Sequence, residues 1–292
     1  MTLQHLLPAR ATDDNLSAPW LKARKWTRRT RVLLANFLWT TALVAVCLLP
    51  RIPISPSYHR FADKRIFFTI PNALDVVSNL PFVVVGLWGL IWLAQPRARR
   101  SFIDSRERVP YLIFFAGVTL TGAGSWWYHL APSNSRLPWD LLPMTSSFLS
   151  LVVVTWMERV DLRAGFFALF PVLAFGIGSV IWWYVTARQG RDDYRFYLFV
   201  QFFAPVQLAC IIALFPPRYT GMRYLVVAFV LYVAAKFLEA FDTQIFGFGH
   251  VVSGHTLKHV TAAVACWWIL RMLQVRQTTH RTPYPLHAEH NA

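Results

Sequence analysis

Long apolar segments separated by short polar connections recur along the chain. Runs of about 18 to 23 mostly apolar residues have the length that an α-helix needs to cross a bilayer. They predict eight helices, near residues 32–50, 72–94, 110–130, 140–157, 164–186, 196–215, 222–242 and 254–273. Pro171 and Pro205 fall inside predicted helices, where proline kinks a membrane helix rather than ending it. The pattern therefore predicts an all-α, polytopic membrane helix bundle.

The composition supports this interpretation. Of 292 residues, 55% are hydrophobic and 16% aromatic, while only 15% are charged. A soluble core of this size cannot bury so much apolar surface, so a single membrane domain is expected.

The formal net charge of +15 could indicate a nucleic-acid partner, but the distribution of the charges indicates membrane topology instead. About 19 Lys and Arg residues lie on the side of the two termini and about 8 on the other side. We therefore expect residues 1–31 to be a basic cytoplasmic tail and residues 274–292 a disordered cytoplasmic tail, with no role for nucleic acid. The preference for arginine over lysine suggests the inner membrane of a bacterium.

Two histidines open the last predicted helix with helical spacing. His255 and His259 are four residues apart, so their side chains project from one face of a helix, about 6 Å apart. A catalytic zinc ion takes three protein ligands and leaves a position for water. His129, at the end of the third predicted helix, is the best candidate for the third ligand.

The predicted topology brings further polar groups to the level of these histidines. Ser125 lies one turn deeper than His129, and Asp140 begins the next helix on the same side of the membrane. The other polar residues at this level are Asn72, Asp75, Ser78, Asn79, Lys236, Glu239 and Asp242. Polar groups inside a membrane are costly and are normally paired or functional. Their convergence in the outer leaflet predicts a site.

Simpler interpretations exist for each of these residues. The histidines could bind haem, although adjacent imidazoles on one helix suit a small ion better. Ser125 could serve close helix packing, and Asp140 could cap a helix. Lys236 and Glu239 are expected to neutralise each other, and Lys258 to pair with Glu239 or Asp242, rather than to form a retinal Schiff base.

Three segments together carry a family resemblance. They are Ser125-Trp126-Trp127-Tyr128-His129, Asp140-Leu141-Leu142-Pro143-Met144 and His255-Thr256-Leu257-Lys258-His259. Residues 60–273 thereby resemble the alkaline ceramidase family, in a superfamily of seven-helix membrane hydrolases that includes adiponectin-receptor-like proteins. Asp75-Val76-Val77-Ser78-Asn79-Leu80 looks like the start of that family's first core helix.

The resemblance implies a seven-helix core, with residues 32–50 as an extra N-terminal transmembrane helix. It also implies zinc held by His129, His255 and His259, an oxyanion stabilised by Ser125, and water held and activated by Asp140. The implied reaction is hydrolysis of a ceramide-type amide to a fatty acid and a sphingoid base.

The sequence leaves open whether a second metal is bound and whether the protein is an enzyme. Eukaryotic members of the resembled family carry an acidic calcium-binding segment, whereas Asp63-Lys64-Arg65 stands here, so a Ca²⁺ site is not supported. Asp63, Asn72 and Asp75 could form only a degenerate calcium site. A non-catalytic lipid receptor or sensor on the same zinc-containing scaffold, and a haem electron-transfer protein, are the alternatives to a hydrolase.

Overall fold

The computed structural model describes residues 25–279, which form an all-helical bundle. This part of the chain contains ten α-helices. They are α1 (Arg28–Leu48), α2 (Ala73–Val77), α3 (Leu80–Ala94), α4 (Arg108–Leu130), α5 (Leu137–Arg159), α6 (Leu162–Arg188), α7 (Arg195–Leu214), α8 (Met222–Ala240), α9 (Asp242–Gly247) and α10 (Gly254–Val275). The all-α prediction is confirmed.

Six segments of the described chain are long and apolar enough to cross a membrane. They are Arg28–Leu48, Ala73–Ala94, Ser105–Leu130, Leu137–Arg159, Leu162–Arg188 and Arg195–Leu214. These properties are those of an integral membrane protein. The helices α8 and α10, 19 and 22 residues long, are not among these six segments, so their spanning of the membrane stays a prediction.

The helix predicted over residues 72–94 is interrupted. Helix α2 ends at Val77, and α3 begins at Leu80. The Ser78 hydroxyl and the Asn79 amide both donate to the Asp75 carbonyl, at 3.1 and 2.7 Å. Such side-chain bonds compete with the helical backbone pattern, which explains the break.

Helices α4 and α5 form the centre of the bundle. Helix α5 packs against α4, α6 and α7, while α10 packs against α8 and α3. The approach of α5 to α4 depends on Gly124, because a Cβ atom there would collide with the Trp139 carbonyl oxygen. Small residues at membrane helix contacts commonly have this role. Helices α4 and α5 are thereby held close together, and with α10 they carry the candidate site.

Helix α1 lies at the side of the bundle, where it packs along α7. Arg31 donates to the Leu214 carbonyl at 2.9 Å, and the Trp39 ring lies 4.8 Å from the Phe199 ring, centroid to centroid. The helix begins at Arg28 rather than at residue 32 because Thr27 caps it, accepting a bond from the Thr30 amide.

The chain remains packed beyond the predicted core boundary at 273. Helix α10 continues to Val275, and Arg276 then forms a buried ion pair with Glu158 at 2.6 Å. The Thr220 amide donates to the Gln277 carbonyl at 2.8 Å. The predicted tails fall mostly outside the described residues, over 1–24 and 280–292.

Candidate metal centre

Three buried histidines meet between α4 and α10. His129, in the last turn of α4, is fully buried, while His255 and His259, in the first turns of α10, are 7% and 3% exposed. Their ring centroids are 4.7 to 5.0 Å apart in each pair. One nitrogen from each ring lies within 4.8 Å of the others. The histidines predicted as metal ligands therefore form one cluster.

The hydrogen bonds indicate which nitrogen of each ring faces the centre. The Nε2 atoms of His129 and His255 lie 3.2 Å apart. His259 uses Nδ1 for a 2.8 Å hydrogen bond with the Ser78 hydroxyl, which leaves its Nε2 for the centre. A partner on the second ring nitrogen is typical of metal-ligating histidines, since it fixes the ring orientation.

The cluster fits a metal ion by the chemistry of its donors. Three imidazoles buried together present basic nitrogens to one another with no carboxylate among them, and a shared cation satisfies all three. Three histidines are a known ligand set for catalytic zinc. The geometry is compatible with zinc without specifying it.

The start of α10 is fixed by several side chains around the histidines. Ser253 caps the helix by accepting a bond from the Thr256 amide at 3.0 Å. Asp242 accepts a 2.8 Å bond from the His255 amide. Gly254 is in close contact with the Leu238 carbonyl, and a Cβ atom would not fit there. These contacts fix where α10 begins and therefore where both histidines lie.

Asp75 holds α2 against the same helix. Its carboxylate is fully buried and accepts bonds from the Thr256 hydroxyl at 2.6 Å and from the Ser253 hydroxyl at 3.2 Å. Asp63 instead pairs with Arg65, and the Asn72 amide donates to the His129 carbonyl at 2.8 Å. The three residues considered for a degenerate calcium site thus bind different partners.

A loop before α2 covers the histidines. The Phe61 ring lies 4.5 Å from each of the His129 and His255 rings, centroid to centroid. Arg65 fixes this loop, because its guanidinium binds both Asp63 oxygens and donates to the carbonyls of His250 and Val251, at 2.7 and 2.9 Å. We call residues 60–66 the cover loop.

The pKa of Asp63 reflects this arrangement. Burial raises the pKa, but the hydrogen bonds and charge of Arg65 outweigh burial and hold it below its usual value. Asp63 therefore remains ionised, and paired, at neutral pH.

Ser125 and Asp140 lie beside the histidine cluster as the sequence indicated. Ser125 is 2% exposed and lies near Asp140. Asp140 lies in the first turn of α5. Both residues line the same cavity as His259. The structure brings the five predicted site residues together, while the catalytic roles of Ser125 and Asp140 stay predictions.

The cavity extends from this polar end into the bundle, with a volume of about 190 Å³. Beyond the polar end its walls are mainly aliphatic and aromatic, from α4, α5, α7, α8 and α10. Val118, Leu151, Leu225 and Ile269 are examples. The shape and lining suit a hydrocarbon chain whose polar group lies at the histidines.

Three charged residues also line the polar end of the cavity. Lys236 pairs with Glu239, and the Lys258 ammonium donates to the second Glu239 oxygen at 2.9 Å. The predicted pairs of Lys236 and Lys258 with Glu239 are confirmed. Asp242, the alternative partner of Lys258, instead accepts bonds from the Ala62 and His255 amides.

Several contacts of the site could not be found from the sequence. The sequence places Ser78 among the polar residues of the site, but residue spacing does not predict its bond to His259. Phe61 lies in an irregular segment with no periodic signal, so its contact with two histidines depends on the path of the cover loop.

The fold and site define a helical protein of membrane type with a buried three-histidine centre that can hold a metal ion. Comparison with protein-family models and with curated proteins gives no match. The ceramidase resemblance therefore stays a prediction from the sequence.

Proposed function

We propose that the protein is a zinc-dependent intramembrane amide hydrolase that cleaves ceramide-like N-acyl lipids into a fatty acid and an amine. The observation that carries the proposal is the position of three buried imidazoles, next to Ser125 and Asp140, at the polar end of a largely apolar cavity. A metal centre, a proton carrier and a hydrocarbon-lined cavity are the parts that this reaction needs.

His129, His255 and His259 would hold the metal, with Ser78 orienting His259 through its Nδ1 atom. Zinc in such a site supplies a water molecule made acidic enough to act as a nucleophile at neutral pH, and it polarises the carbonyl of the substrate.

Asp140 and Ser125 have distinct tasks in the proposed reaction. Asp140 accepts a proton from the attacking water and later delivers it to the amide nitrogen, so that the C–N bond breaks and a neutral amine leaves. The Ser125 hydroxyl, which lines the same cavity, donates to the carbonyl oxygen as negative charge develops there. The water oxygen remains in the fatty acid, which balances the hydrolysis.

The cavity supports a lipid substrate and a lateral route for it. Helices α7 and α8 both line the cavity but do not pack closely against each other. The Tyr232 hydroxyl on α8 bridges them by donating to the Gln201 carbonyl at 3.1 Å. A lipid can reach the cavity through this seam with its chains still in hydrocarbon.

The test is release of fatty acid from a panel of ceramides and other N-acyl lipids, measured together with zinc content for wild type and His129→Ala. We expect about one zinc per wild-type chain, hydrolysis of at least one lipid, and loss of both in the variant. Hydrolysis that persists in the zinc-free variant would overturn the proposal.

A zinc-containing wild type that cleaves none of the lipids would instead favour the receptor or sensor function. The contact of Phe61 with His129 and His255 is the observation in favour of that second candidate, since the ring covers one side of the centre. Lipid binding without turnover is the result that it predicts.

A further inference from the structure

The three charged residues at the polar end of the cavity are unevenly balanced. Lys236 and Lys258 both bind the Glu239 carboxylate, so one negative charge serves two positive charges. We call Lys236 and Lys258 the lysine pair; Glu239 is the carboxylate that they share. Asp140 lines the same cavity and is a second carboxylate near Lys258. Lys236, Lys258 and Glu239 together still carry a net positive charge, because both lysines share the Glu239 carboxylate.

Each ammonium also keeps unused hydrogen-bond donors. A lysine carries three N–H groups, and Glu239 accepts one from each side chain. The side chains of Lys236 and Lys258 are 26% and 20% exposed, and both line the cavity. Lys236 lies on the α7–α8 seam, with its ammonium 5.5 Å from the Phe202 ring centroid. The free donors are thus accessible from the seam and from the cavity.

The polarity of the cavity gives a bound lipid one orientation. Lys258 and Ile269 both line it and are eleven residues apart on α10, which corresponds to about 16 Å along the helix. The end near Ile269 is apolar, whereas His259 and Ser125 lie near Lys258. An acyl chain at the apolar end brings the amide to the histidines and the amine portion to the lysine pair.

From this arrangement we propose that the substrate carries a negatively charged carboxylate or phosphate on the amine side of the scissile amide. Lys258 and Lys236 bind this group and determine specificity for it. N-acyl amino acids and N-acyl lipids with a phosphate-bearing headgroup have this chemistry, whereas simple ceramides are neutral. This inference rests on the proposed amide hydrolysis and narrows its substrate class.

The first test compares hydrolysis of matched substrates by the purified full chain in lipid nanodiscs. N-oleoylglycine and an N-oleoyl phosphoethanolamine lipid supply the two anions, and N-oleoylglycinamide and ceramide are the neutral counterparts. We expect the wild type to prefer the anionic members in kcat/KM by about tenfold or more, the usual effect of a hydrogen bond to a charged group. Comparing kcat/KM for the two anionic substrates shows whether the site prefers a carboxylate or a phosphate.

Three variants and one control separate specificity from structural damage. Lys258→Met and Lys236→Met should each lower the ratio of anionic to neutral kcat/KM by about tenfold. Glu239→Gln removes the competing carboxylate and should raise that ratio, a gain that a merely structural role of Glu239 does not predict. Lys64→Met, at an exposed position on the cover loop, should leave the ratio unchanged. A wild type that prefers neutral amides, or variants with an unchanged ratio, would overturn the inference while leaving the hydrolase proposal intact.

Equilibrium binding distinguishes failure of the inference from failure of the hydrolase proposal. If no lipid is cleaved, the hydrolase proposal fails, and tighter binding of N-oleoylglycine than of N-oleoylglycinamide, lost in Lys258→Met, still supports the anion site. Equal binding of the two overturns it. Oleate, the acid product, is the control. If Lys258→Met weakens the binding of oleate and of N-oleoylglycine equally, the lysines hold the acid product rather than the headgroup. The inference is then wrong.

Discussion

The Nε2 atoms of His129 and His255 lie 3.2 Å apart, although the residues are 126 positions apart in sequence and belong to different helices. His259 completes the cluster from the next turn of α10 and is held by Ser78 at its other nitrogen. Two buried ring nitrogens this close can share a cation, which is the alternative to the one hydrogen bond that two neutral imidazoles can form between them.

Replacing His259 should remove the metal. His259→Ala leaves two imidazoles, and we expect less than about one tenth of the wild-type zinc content after dialysis, because a catalytic zinc site uses three protein ligands. Elemental analysis of the purified protein is the measurement. His250→Ala, at an exposed position before α10, is the matched control and should keep its zinc. Full zinc occupancy in His259→Ala would rule out this ligand set.

Ser78 should affect zinc affinity without binding the metal. Ser78→Ala removes the 2.8 Å hydrogen bond to His259 Nδ1, and loss of such an outer partner typically weakens metal affinity by about 10- to 100-fold. Competition with a chelator of known affinity measures the change. An unchanged zinc affinity would show that packing alone orients the His259 ring.

Ser125 should affect turnover rather than metal binding. Ser125→Ala is expected to retain zinc and to lower kcat by about 10²- to 10³-fold, the usual effect of losing one oxyanion donor. Ser146→Ala is the control, because its hydroxyl bonds only to the Leu142 carbonyl of its own helix. Wild-type kcat in Ser125→Ala would leave close helix packing as the role of this residue.

Asp140 should be required for proton transfer. Asp140→Asn preserves the shape of the side chain but cannot accept a proton, so kcat should fall by about 10²- to 10⁴-fold with zinc retained. Asp161→Asn is the matched control, since Asp161 caps α6 by accepting from the Ala164 amide, and asparagine caps equally well. Loss of zinc in Asp140→Asn would point to a metal ligand instead of a proton carrier.

Arg65 should control the mobility of the cover loop. Arg65→Gln removes the contacts with Asp63 and two carbonyls, so hydrogen exchange at the Ala62 amide should accelerate by about tenfold. Arg60→Gln, at an exposed position, is the control. Unchanged exchange in Arg65→Gln would mean that Phe61 alone holds the loop.

The cover loop should also respond to acid. The pKa of Asp63 is lowered in the folded protein, because Arg65 outweighs the effect of burial. Its contribution to stability is therefore complete above the unfolded value of about 4 and is lost as the pH falls through the lowered pKa. Protection of the Ala62 amide, which compares its exchange rate with the intrinsic rate at the same pH, should fall over that acidic range in the wild type, whereas protection in Arg65→Gln should change little there.

Much of the bundle and the metal cluster follows from local patterns. Hydropathy identifies the long helices because each needs a continuous apolar run. The four-residue spacing fixes His255 and His259 on one face, and alternation of direction between spans brings His129 to their level. These regularities are properties of single helices and of the membrane, so the sequence alone reveals them.

The remaining features depend on contacts between distant segments. The break at Ser78 arises from competing side-chain bonds to the Asp75 carbonyl, which hydropathy does not register. The position of Phe61 follows from Arg65 binding carbonyls almost two hundred residues away. Irregular loops have no period from which such contacts could be predicted.

The most direct measurement is a zinc titration of hydrolytic activity. The protein is depleted of metal with a chelator, returned to lipid nanodiscs, and supplied with increasing zinc while fatty acid release from an N-acyl lipid is followed. We predict that activity is absent in the depleted protein, rises in proportion to zinc, and saturates at about one zinc per chain, whereas His259→Ala stays inactive throughout. Full activity of the depleted protein, or equal activation of His259→Ala, would contradict a hydrolase built on the three histidines.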